Sequence, residues 1–324
     1  MFQVIRRIRQ RLRYLDLTLN ASRSVRIRVV ERPGLWMDSA RLDAMLAEMR
    51  GVVQRGIGKE LEYGVLSGDP ERLRRAVVTL LYDRDSGHPI AFNALSIMPI
   101  EVRGRPVEAI HLGLVMVDPG YRTQGLSWVL YGLTCILLFF RRGLRPIWIS
   151  NVTQVPAIIG KVAEVFVTAY PNPFAPSRRS FEHLSVAREI MKSHRHVFGV
   201  DEGAGFDEAR FVITDAYRGG SDNLKKTFDA APKHRDERVN ALCQRELDYQ
   251  RGDDFLQVAR LDLASARKYL LREVPRDSLP AILAQVAFLA LGRIVLPLVH
   301  WLNPREPMGD LREPMGDLRA RNHA

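Results

Sequence analysis

Three apolar runs rich in β-branched residues, separated by two short turns, constrain the fold of this chain more than any other feature. The runs cover residues 76–82, 89–100 and 108–117, and the turns cover residues 83–87 and 103–106. Turns this short join antiparallel neighbours, because a parallel pair needs a crossover connection of about a dozen residues or more. We therefore predict an antiparallel three-stranded meander in this part of the chain.

A long apolar run without proline comes next, at residues 125–140. It is too long for an ordinary strand, and Arg141 and Arg142 at its end suit the negative pole of a helix. The elements predicted after this buried helix are a strand at 146–151, a helix at 156–164 and a strand at 165–169. The succession predicts an α/β (α+β) fold with a mixed, mainly antiparallel sheet flanked by helices.

The regions on either side of this core carry weaker patterns. Asp38 is a good N-cap for a helix over the residues that follow it. Residues 171–275 are interpreted as an accessory or lid region, a mostly helical extension of the core. Its predicted elements are helices at 181–192, 235–250 and 264–271 and a strand at 255–261. Asp253 and Asp254 are interpreted as helix-end or surface carboxylates.

The N-terminal segment is strongly basic. Residues 1–30 contain eight arginines against one acid, Asp16, and apolar residues recur there every three or four positions. This pattern predicts a basic amphipathic helix. The helix could pack on the domain with a solvated arginine face, or lie on an anionic membrane surface. The segment lacks the continuous apolar stretch of a secretory signal.

A second apolar segment, residues 279–302, lies near the C-terminus. It has the roughly 20 residues that a membrane-spanning helix needs, but Gln285, Arg293 and His300 interrupt it. A membrane span, an interfacial helix and a helix buried against protein are all compatible with this pattern. Residues 303–324 contain the sequence Arg-Glu-Pro-Met-Gly-Asp-Leu twice in succession and are predicted to be disordered.

The overall charge narrows the class of partner. A formal net charge of +11 favours anionic partners such as nucleic acid, anionic lipid or phosphorylated cofactors. Nucleic acid is the least favoured of these, because no basic motif with interleaved aromatic residues is present. There are only two cysteines, Cys135 and Cys243, and the first lies in an apolar run, which favours a reducing compartment. We expect a cytoplasmic protein that is either free or peripheral to the inner face of a membrane.

The segment between the third strand and the long helix carries the chemical signal. It reads Val117-Asp118-Pro119-Gly120-Tyr121-Arg122-Thr123-Gln124-Gly125-Leu126-Ser127. A strand, a tight turn, a glycine and a helix start follow one another here, which is the order that a pyrophosphate-binding helix N-terminus requires. Gly125 permits close approach of the backbone, and Arg122 adds a positive charge. An ordinary strand-to-helix connection would explain Pro119-Gly120 equally well.

This segment resembles motif A of the GNAT superfamily of N-acetyltransferases, whose pattern is Arg/Gln-x-x-Gly-x-Gly/Ala. Arg122, Gly125 and Ser127 occupy the three pattern positions, with serine a departure at the last. The meander before the motif and the helix and strand after it follow the order usual in that family. The resemblance covers residues 77–167 well and residues 36–76 weakly, so we expect a GNAT-like core over residues 36–170.

The resemblance implies an acyltransferase that moves an acetyl or longer acyl group from a CoA thioester to an acceptor amine by direct attack. It implies no metal. Backbone groups of Val115 and Val117 would bind the pantetheine arm, and an N–H near Met116 would polarise the thioester carbonyl. The backbone groups that would hold the pyrophosphate belong to Thr123, Gln124, Gly125, Leu126 and Ser127.

The acid and base are less clearly indicated. His111 falls where some family members place a catalytic carboxylate, and Glu108 is the alternate. Equally, His111 could be a strand histidine satisfied by a neighbouring carbonyl. Many members protonate the leaving thiolate with a tyrosine in the helix after Asn151, and residues 156–162 contain none. A non-catalytic acyl-CoA-binding module with the same core is therefore the second hypothesis.

Overall fold

The computed structural model describes residues 14–58, 61, 64–122, 124–126, 128–174, 179–218, 224–276, 278–280, 282–284, 287 and 291. Within them the predicted fold class is confirmed, because a mixed, mainly antiparallel sheet carries helices on both faces. The predicted central meander is also present. The predicted duplicated tail 303–324 lies outside the described residues, and so do most residues of the apolar segment 279–302.

The sheet has nine strands among the described residues, in the spatial order β1-β2-β3-β4-β5-β6-β9-β8-β7. Every neighbouring pair is antiparallel except β5 and β6, which are parallel. The strands are β1 Asp16–Asn20, β2 Val25–Glu31, β3 Ala76–Asp83, β4 Pro89–Val102, β5 Arg105–Val117, β6 Ile147–Thr153, β7 Gly205–Asp207, β8 Val212–Thr214 and β9 Asp254–Leu261.

The helices are α1 Ser39–Ile57, α2 Pro70–Arg74, α3 Thr134–Arg141, α4 Pro156–Val165, α5 Phe181–Ser193, α6 Glu237–Glu246 and α7 Leu263–Arg272. A π-helical turn, Val129–Leu133, leads directly into α3. Asp38 is the N-cap of α1, as predicted, and its carboxylate accepts the backbone N–H of Arg41 at 2.9 Å. Short 3₁₀ segments lie at Pro33–Leu35, Gly64–Ser67, Pro119–Tyr121, Arg195–Phe198 and Ala216–Arg218.

The N-terminal helix prediction is wrong for the described part of residues 1–30. Residues 16–31 form the β1–β2 hairpin, and residues 1–13 lie outside the described residues. Leu15, Leu17 and Leu19 alternate with polar residues, and all three are buried against the sheet. Their spacing of two residues is the period of a strand, and pairing with β2 decided in its favour.

Residues 171–275 do not stand apart from the core. β9 pairs with all of β6 through residues 255–261, and β8 and β7 extend the same sheet beyond it. The strand predicted at 165–169 is wrong, because α4 continues to Val165 and only Tyr170 makes a bridge, to Val258. No helix among the described residues combines the length and the apolar character needed to cross a bilayer.

The residues of β4 show which helices cover each face of the sheet. Phe92 and Ala94 pack in the apolar cluster beneath α1, and Met98 and Ile100 pack in the cluster beneath α5. All four are even-numbered, so α1 and α5 lie side by side on one face. Odd-numbered residues of β4, including Leu95, pack in the large cluster formed with the π-helical turn and α3 on the other face.

A β-bulge interrupts the central pair of strands. The β4–β5 register shifts between Ala94 and Ser96, so two residues of β5, Leu112 and Gly113, oppose Leu95 alone. A Cβ on Gly113 would lie 2.3 Å from the carbonyl oxygen of Ala94. Real Cβ atoms do not approach backbone oxygen this closely, so the bulge requires glycine.

The bulge reverses the alternation of side chains along β5. Before the bulge, the odd-numbered residue Ala109 of β5 contacts the cluster beneath α5. After the bulge, the even-numbered residues Leu114 and Met116 lie on the same face of the sheet, where they contact the cluster beneath α1. The extra residue therefore lets β5 stay paired with β4 while the other edge of β5, which faces β6, changes direction.

Gly113→Ala should lower the free energy of unfolding by about 1–3 kcal/mol, because the new methyl group must displace backbone. Gly51→Ala is the matched control, since a Cβ there meets its nearest atom, the Arg55 guanidinium, at 3.5 Å. That control lies in α1, where alanine should be neutral or stabilising. Urea denaturation followed by circular dichroism measures both, and equal midpoints would contradict the role given to Gly113.

Candidate functional site

The parallel strands β5 and β6 separate partway along their length. Their register runs from Ala109↔Trp148 to His111↔Ser150 and ends there. Beyond this point β5 stays paired with β4, and β6 stays paired with β9. We call the gap between residues 112–117 of β5 and residues 151–153 of β6 the wedge. Strand edges that face such a gap can bind an extended ligand through their backbone groups.

The side chains of β5 along the wedge pack on the two faces of the sheet. Val115 and Val117 pack towards the α3 face, whereas Met116 packs towards α1 and is 8% exposed. The Met116 sulfur lies 2.9 Å from the position that a Cβ on Gly56 would take. These contacts fix the strand from both faces and leave its backbone edge as the surface directed at the wedge.

The loop after β5 is tied to the C-terminal end of α1. Arg55 Nε donates to Asp118 Oδ2 at 2.6 Å, and Arg122 Nη2 donates to the carbonyl of Gly56 at 3.1 Å. The hydrogen bond from the Arg55 guanidinium lowers the pKa of Asp118. Asp118 also accepts the N–H of Gly120 at 3.1 Å, which closes the turn. The loop is therefore held in place at the mouth of the wedge.

Gly125 adopts a left-handed backbone conformation, with φ of 67°. No atom lies within 4 Å of its missing Cβ, so the requirement for glycine here comes from the backbone and not from crowding. Arg122, Gln124 and Gly125 are exposed, whereas Leu126 is buried and anchors the loop. The other two predicted loop residues, Thr123 and Ser127, lie outside the described residues.

The helical segment that follows the loop is pinned by side chains from other elements. Tyr269 Oη donates to the carbonyl of Trp128 at 2.6 Å, and the amide of Asn93 donates to the carbonyl of Leu130. A Cβ on Gly132 would lie 2.0 Å from the Tyr269 ring. Carbonyls engaged in this way do not need a partner within the helix, which suits the π-helical turn found there. The sequence pattern gave no sign of this turn.

His111 lies at the closed end of the wedge, inside the core. Its ring is 2% exposed, packs against Phe198 at 5.2 Å between centroids, and places Nδ1 3.1 Å from the hydroxyl of Ser150. Burial lowers its pKa to about 3. A general base for an amine needs a pKa nearer neutrality and access to substrate. This environment fits the alternative role, a strand histidine satisfied within the core, with a serine hydroxyl as its partner.

Glu108 lies towards the opposite end of β5 from the wedge and is engaged by two arginines. Its carboxylate accepts Arg32 Nη2 at 2.6 Å through one oxygen and the guanidinium of Arg142 through the other. The Glu108 side chain is only 7% exposed. Beside this group, Arg141 pairs with Glu31 at 3.1 Å. Both oxygens therefore serve an ion-pair network inside the protein, an environment that does not favour the catalytic role predicted for Glu108.

Two carboxylates, Asp254 and Asp253, lie near the open end of the wedge, and the sequence pattern did not select either of them as a site residue. Asp254, expected at the surface, is 5% exposed and accepts the hydroxyl of Tyr217 at 2.9 Å. Burial raises its pKa to about 7. Asp253 was also expected at the surface and is 1% exposed. Their position at the start of a strongly apolar strand was the signal for burial.

No protein-family model matches this chain, and no curated protein matches its sequence. A solved structure that resembles part of it is that of a point mutant of the AtaT toxin bound to the C-terminus of the antitoxin AtaR and to acetyl-CoA. The two chains share 14% identity with a TM-score of 0.21, over 26% of this chain and 58% of that one. A similarity of this size carries no argument for fold or function.

Glu108→Gln should lower the free energy of unfolding by about 3–5 kcal/mol, because it leaves the buried guanidinium of Arg32 and the half-buried guanidinium of Arg142 without their shared carboxylate. Glu208→Gln is the matched control, since the Arg188–Glu208 pair has side chains 55% and 41% exposed. The control should leave the unfolding midpoint unchanged, because exposed pairs are screened by solvent. Chemical denaturation at neutral pH compares the two, and a tolerant Glu108→Gln would contradict the structural role.

Proposed function

We propose that this chain is an acyltransferase that binds a CoA thioester in the wedge and transfers its acetyl or longer acyl group to an acceptor amine. The observation that carries the proposal is the separation of β5 and β6 beside an exposed loop with a left-handed glycine. Of the neighbouring strands in the described part of the chain, these two alone are parallel, so their separation opens a strand edge inside the sheet.

The wedge suits the pantetheine arm of CoA. That arm is extended and carries two amide groups, so it can bind along residues 115–117 as a further strand would. The N–H group near Met116 would then polarise the thioester carbonyl, as a donor aimed at the oxygen that gains charge during attack. Because the side chains of Val115 and Val117 pack away from the wedge, backbone groups carry this recognition.

The loop suits the pyrophosphate. Its glycine and the helical segment beginning near Trp128 present N–H groups and a favourable helix dipole to an anion. Among the described residues, Arg122 hydrogen-bonds the carbonyl of Gly56 in α1, whereas Arg55 forms the ion pair with Asp118. Arg122 is therefore the better placed of the two cations to turn towards a phosphate. Thr123 and Ser127 would complete the cradle.

A second candidate function is an acyl-CoA-binding module without catalysis. The observation in its favour is that both residues first suggested as bases, His111 and Glu108, are committed to the core. In addition, α4 contains no tyrosine that could protonate a leaving thiolate. Calorimetry with acetyl-CoA and long-chain acyl-CoA, followed by assay of thiol release with amines, separates this function from transfer.

Arg122→Ala should weaken binding of acetyl-CoA by about 10-fold, because it removes one charged contact with phosphate. Arg105→Ala is the control, since Arg105 is also exposed but begins β5 at the opposite end of the strand. Isothermal titration calorimetry should show an unchanged affinity for this control. Absence of any binding heat with acetyl-CoA and long-chain acyl-CoA in the unmodified protein would overturn the proposed site.

Gly125→Ala should reduce both stability and acetyl-CoA affinity. Alanine in a left-handed conformation costs about 1 kcal/mol or more, so the loop should move away from the geometry that binds phosphate. Gly104→Ala is matched to it, because Gly104 has φ of 71° and also has no atom within 4 Å of its missing Cβ. The two variants should lose similar stability, and only Gly125→Ala should lose affinity. Equal affinities would argue against a phosphate role for the loop.

A further inference from the structure

Asp254 begins β9 at the end of the sheet where the wedge opens. The β6–β9 register runs to Thr153↔Phe255, and one further step places Asp254 beside Gln154. Because β6 is parallel to β5, the residues after Thr153 lie at the same end of the sheet as the loop after Val117. Asp254 is thus one strand away from the wedge, with only β6 between them.

Asp254 also lies on the face of the sheet that α1 and α5 cover, and it is 5% exposed there. Leu256 and Val258 of β9 pack in the cluster beneath α5, and Asp254 alternates in step with them. Leu114 and Met116 of β5 contact the same face on the other side of the wedge. The carboxylate therefore shares one face of the sheet with the strand edge proposed to hold the thioester.

The burial of Asp254 has little electrostatic compensation. Its neighbour Asp253 is bound by Arg251 through Nε at 2.8 Å and Nη2 at 2.7 Å. Asp254 has one hydrogen-bond donor among the described residues, the neutral hydroxyl of Tyr217. A buried carboxylate without a cation is costly to keep ionised, and such groups are found more often at functional sites than in structural cores.

The hydroxyl of Tyr217 lies between two acceptors. It is 2.9 Å from Asp254 Oδ1. It is also 3.0 Å from the side-chain oxygen of Gln154, in the amide orientation that lets this oxygen accept the Lys226 N–H at 2.7 Å. A single hydroxyl proton cannot serve both acceptors. When Asp254 is protonated it can donate to Tyr217, which then donates to Gln154. These three hydrogen-bonded side chains therefore have two states that differ by one proton.

We propose that Asp254 accepts the proton released by the acceptor amine. Tyr217 and Gln154 are positioning residues, because the hydrogen bond of Tyr217 changes direction between the two protonation states of Asp254. This inference rests on the acyltransferase function proposed above. In the step, the amine nitrogen forms a bond to the thioester carbon and gives one proton to the Asp254 carboxylate. The carbon–sulfur bond breaks and its electron pair leaves on sulfur. The CoA thiolate takes up one proton from solvent, and Asp254 releases the proton it received to solvent. The products are an amide and the free thiol.

The groups around Asp254 set its titration. Burial is the main cause of its raised pKa, the Tyr217 hydrogen bond acts in the opposite direction, and the negative charge of Asp253 adds to the rise. Tyr249 faces it from the turn after α6 and donates to the backbone carbonyl of Gln154 at 2.7 Å. The Lys225 ammonium is directed at the carbonyls of Gln250 and Arg251 and not at the carboxylate.

The test is thiol release from acetyl-CoA with a panel of primary amines, butylamine, spermidine and lysine methyl ester, across pH values on both sides of neutrality. Asp254→Asn should lower kcat/KM by about 100-fold or more, as expected for a lost general base. The rise of kcat/KM through a pH of about 7 should disappear with it. Calorimetry should show unchanged acetyl-CoA affinity, because the carboxylate serves the acceptor side.

Tyr217→Phe separates a positioning role from a merely structural one. Loss of its hydroxyl removes a bond to the ionised carboxylate, so the pKa of Asp254 should rise and the rate profile should move to higher pH. Tyr170→Phe is the control, since the Tyr170 hydroxyl donates to the carbonyl of Ala209 at 2.9 Å. That variant should keep the unmodified profile.

Stability against pH provides a readout that does not depend on turnover. The pKa of Asp254 is about 7 in the folded state against 3.8 for a free aspartate, so folding binds a proton between these values. The contribution of Asp254 to the free energy of unfolding is fully present below pH 3.8 and is lost as the pH rises through about 7. Asp254→Asn should remove this dependence from the urea midpoint, and this variant's own midpoint reports whether it folds.

The outcomes distinguish the two proposals. If the unmodified protein binds neither acetyl-CoA nor long-chain acyl-CoA, the proposed function fails and the role of Asp254 fails with it. If it binds acetyl-CoA and releases no thiol with any amine, the role of Asp254 is overturned and the binding module remains. If Asp254→Asn keeps the rate and the pH profile while transfer proceeds, the inference alone is overturned.

Discussion

The carbonyl oxygen of Ala94 occupies the space into which a side chain on Gly113 would project, and β5 bulges at that point. The extra residue reverses the alternation of side chains, so apolar residues on both sides of the bulge still meet a core. It also turns the outer edge of β5 away from β6 just after His111. The wedge, the loop at its mouth and the proposed thioester site all follow from this close contact.

The two ends of β5 are stabilised by different kinds of interaction. At the closed end, Glu108 holds Arg32 and Arg142 in a buried network, and Glu31 holds Arg141 beside it. At the open end, the loop is tied by more exposed bonds between Arg55, Arg122 and their acceptors. Buried, charged contacts keep the strand in register where it is paired, whereas the contacts at the open end are more exposed to solvent.

Much of the core could be predicted because its patterns are local. The meander, the N-cap at Asp38 and the helix after the loop depend on neighbouring residues, and all three appear in the structure. The β1–β2 hairpin could not be predicted, since Leu15, Leu17 and Leu19 fit two periods until a partner strand selects one. In residues 171–275 the strand β9 was predicted, whereas β7 and β8 were missed because each has only three residues.

The sequence by itself determined the order of the core elements and the glycine-containing loop, since turn chemistry and strand length act over a few residues. Only the tertiary structure decided which ionisable groups remain available. His111 is enclosed by Phe198 and Ser150, and Glu108 is held by two arginines. Asp254 is buried, and its one hydrogen-bond donor in the described part of the chain is the neutral hydroxyl of Tyr217. The surroundings of each group come from residues distant in the chain, and desolvation and pairing depend on those surroundings and not on local sequence.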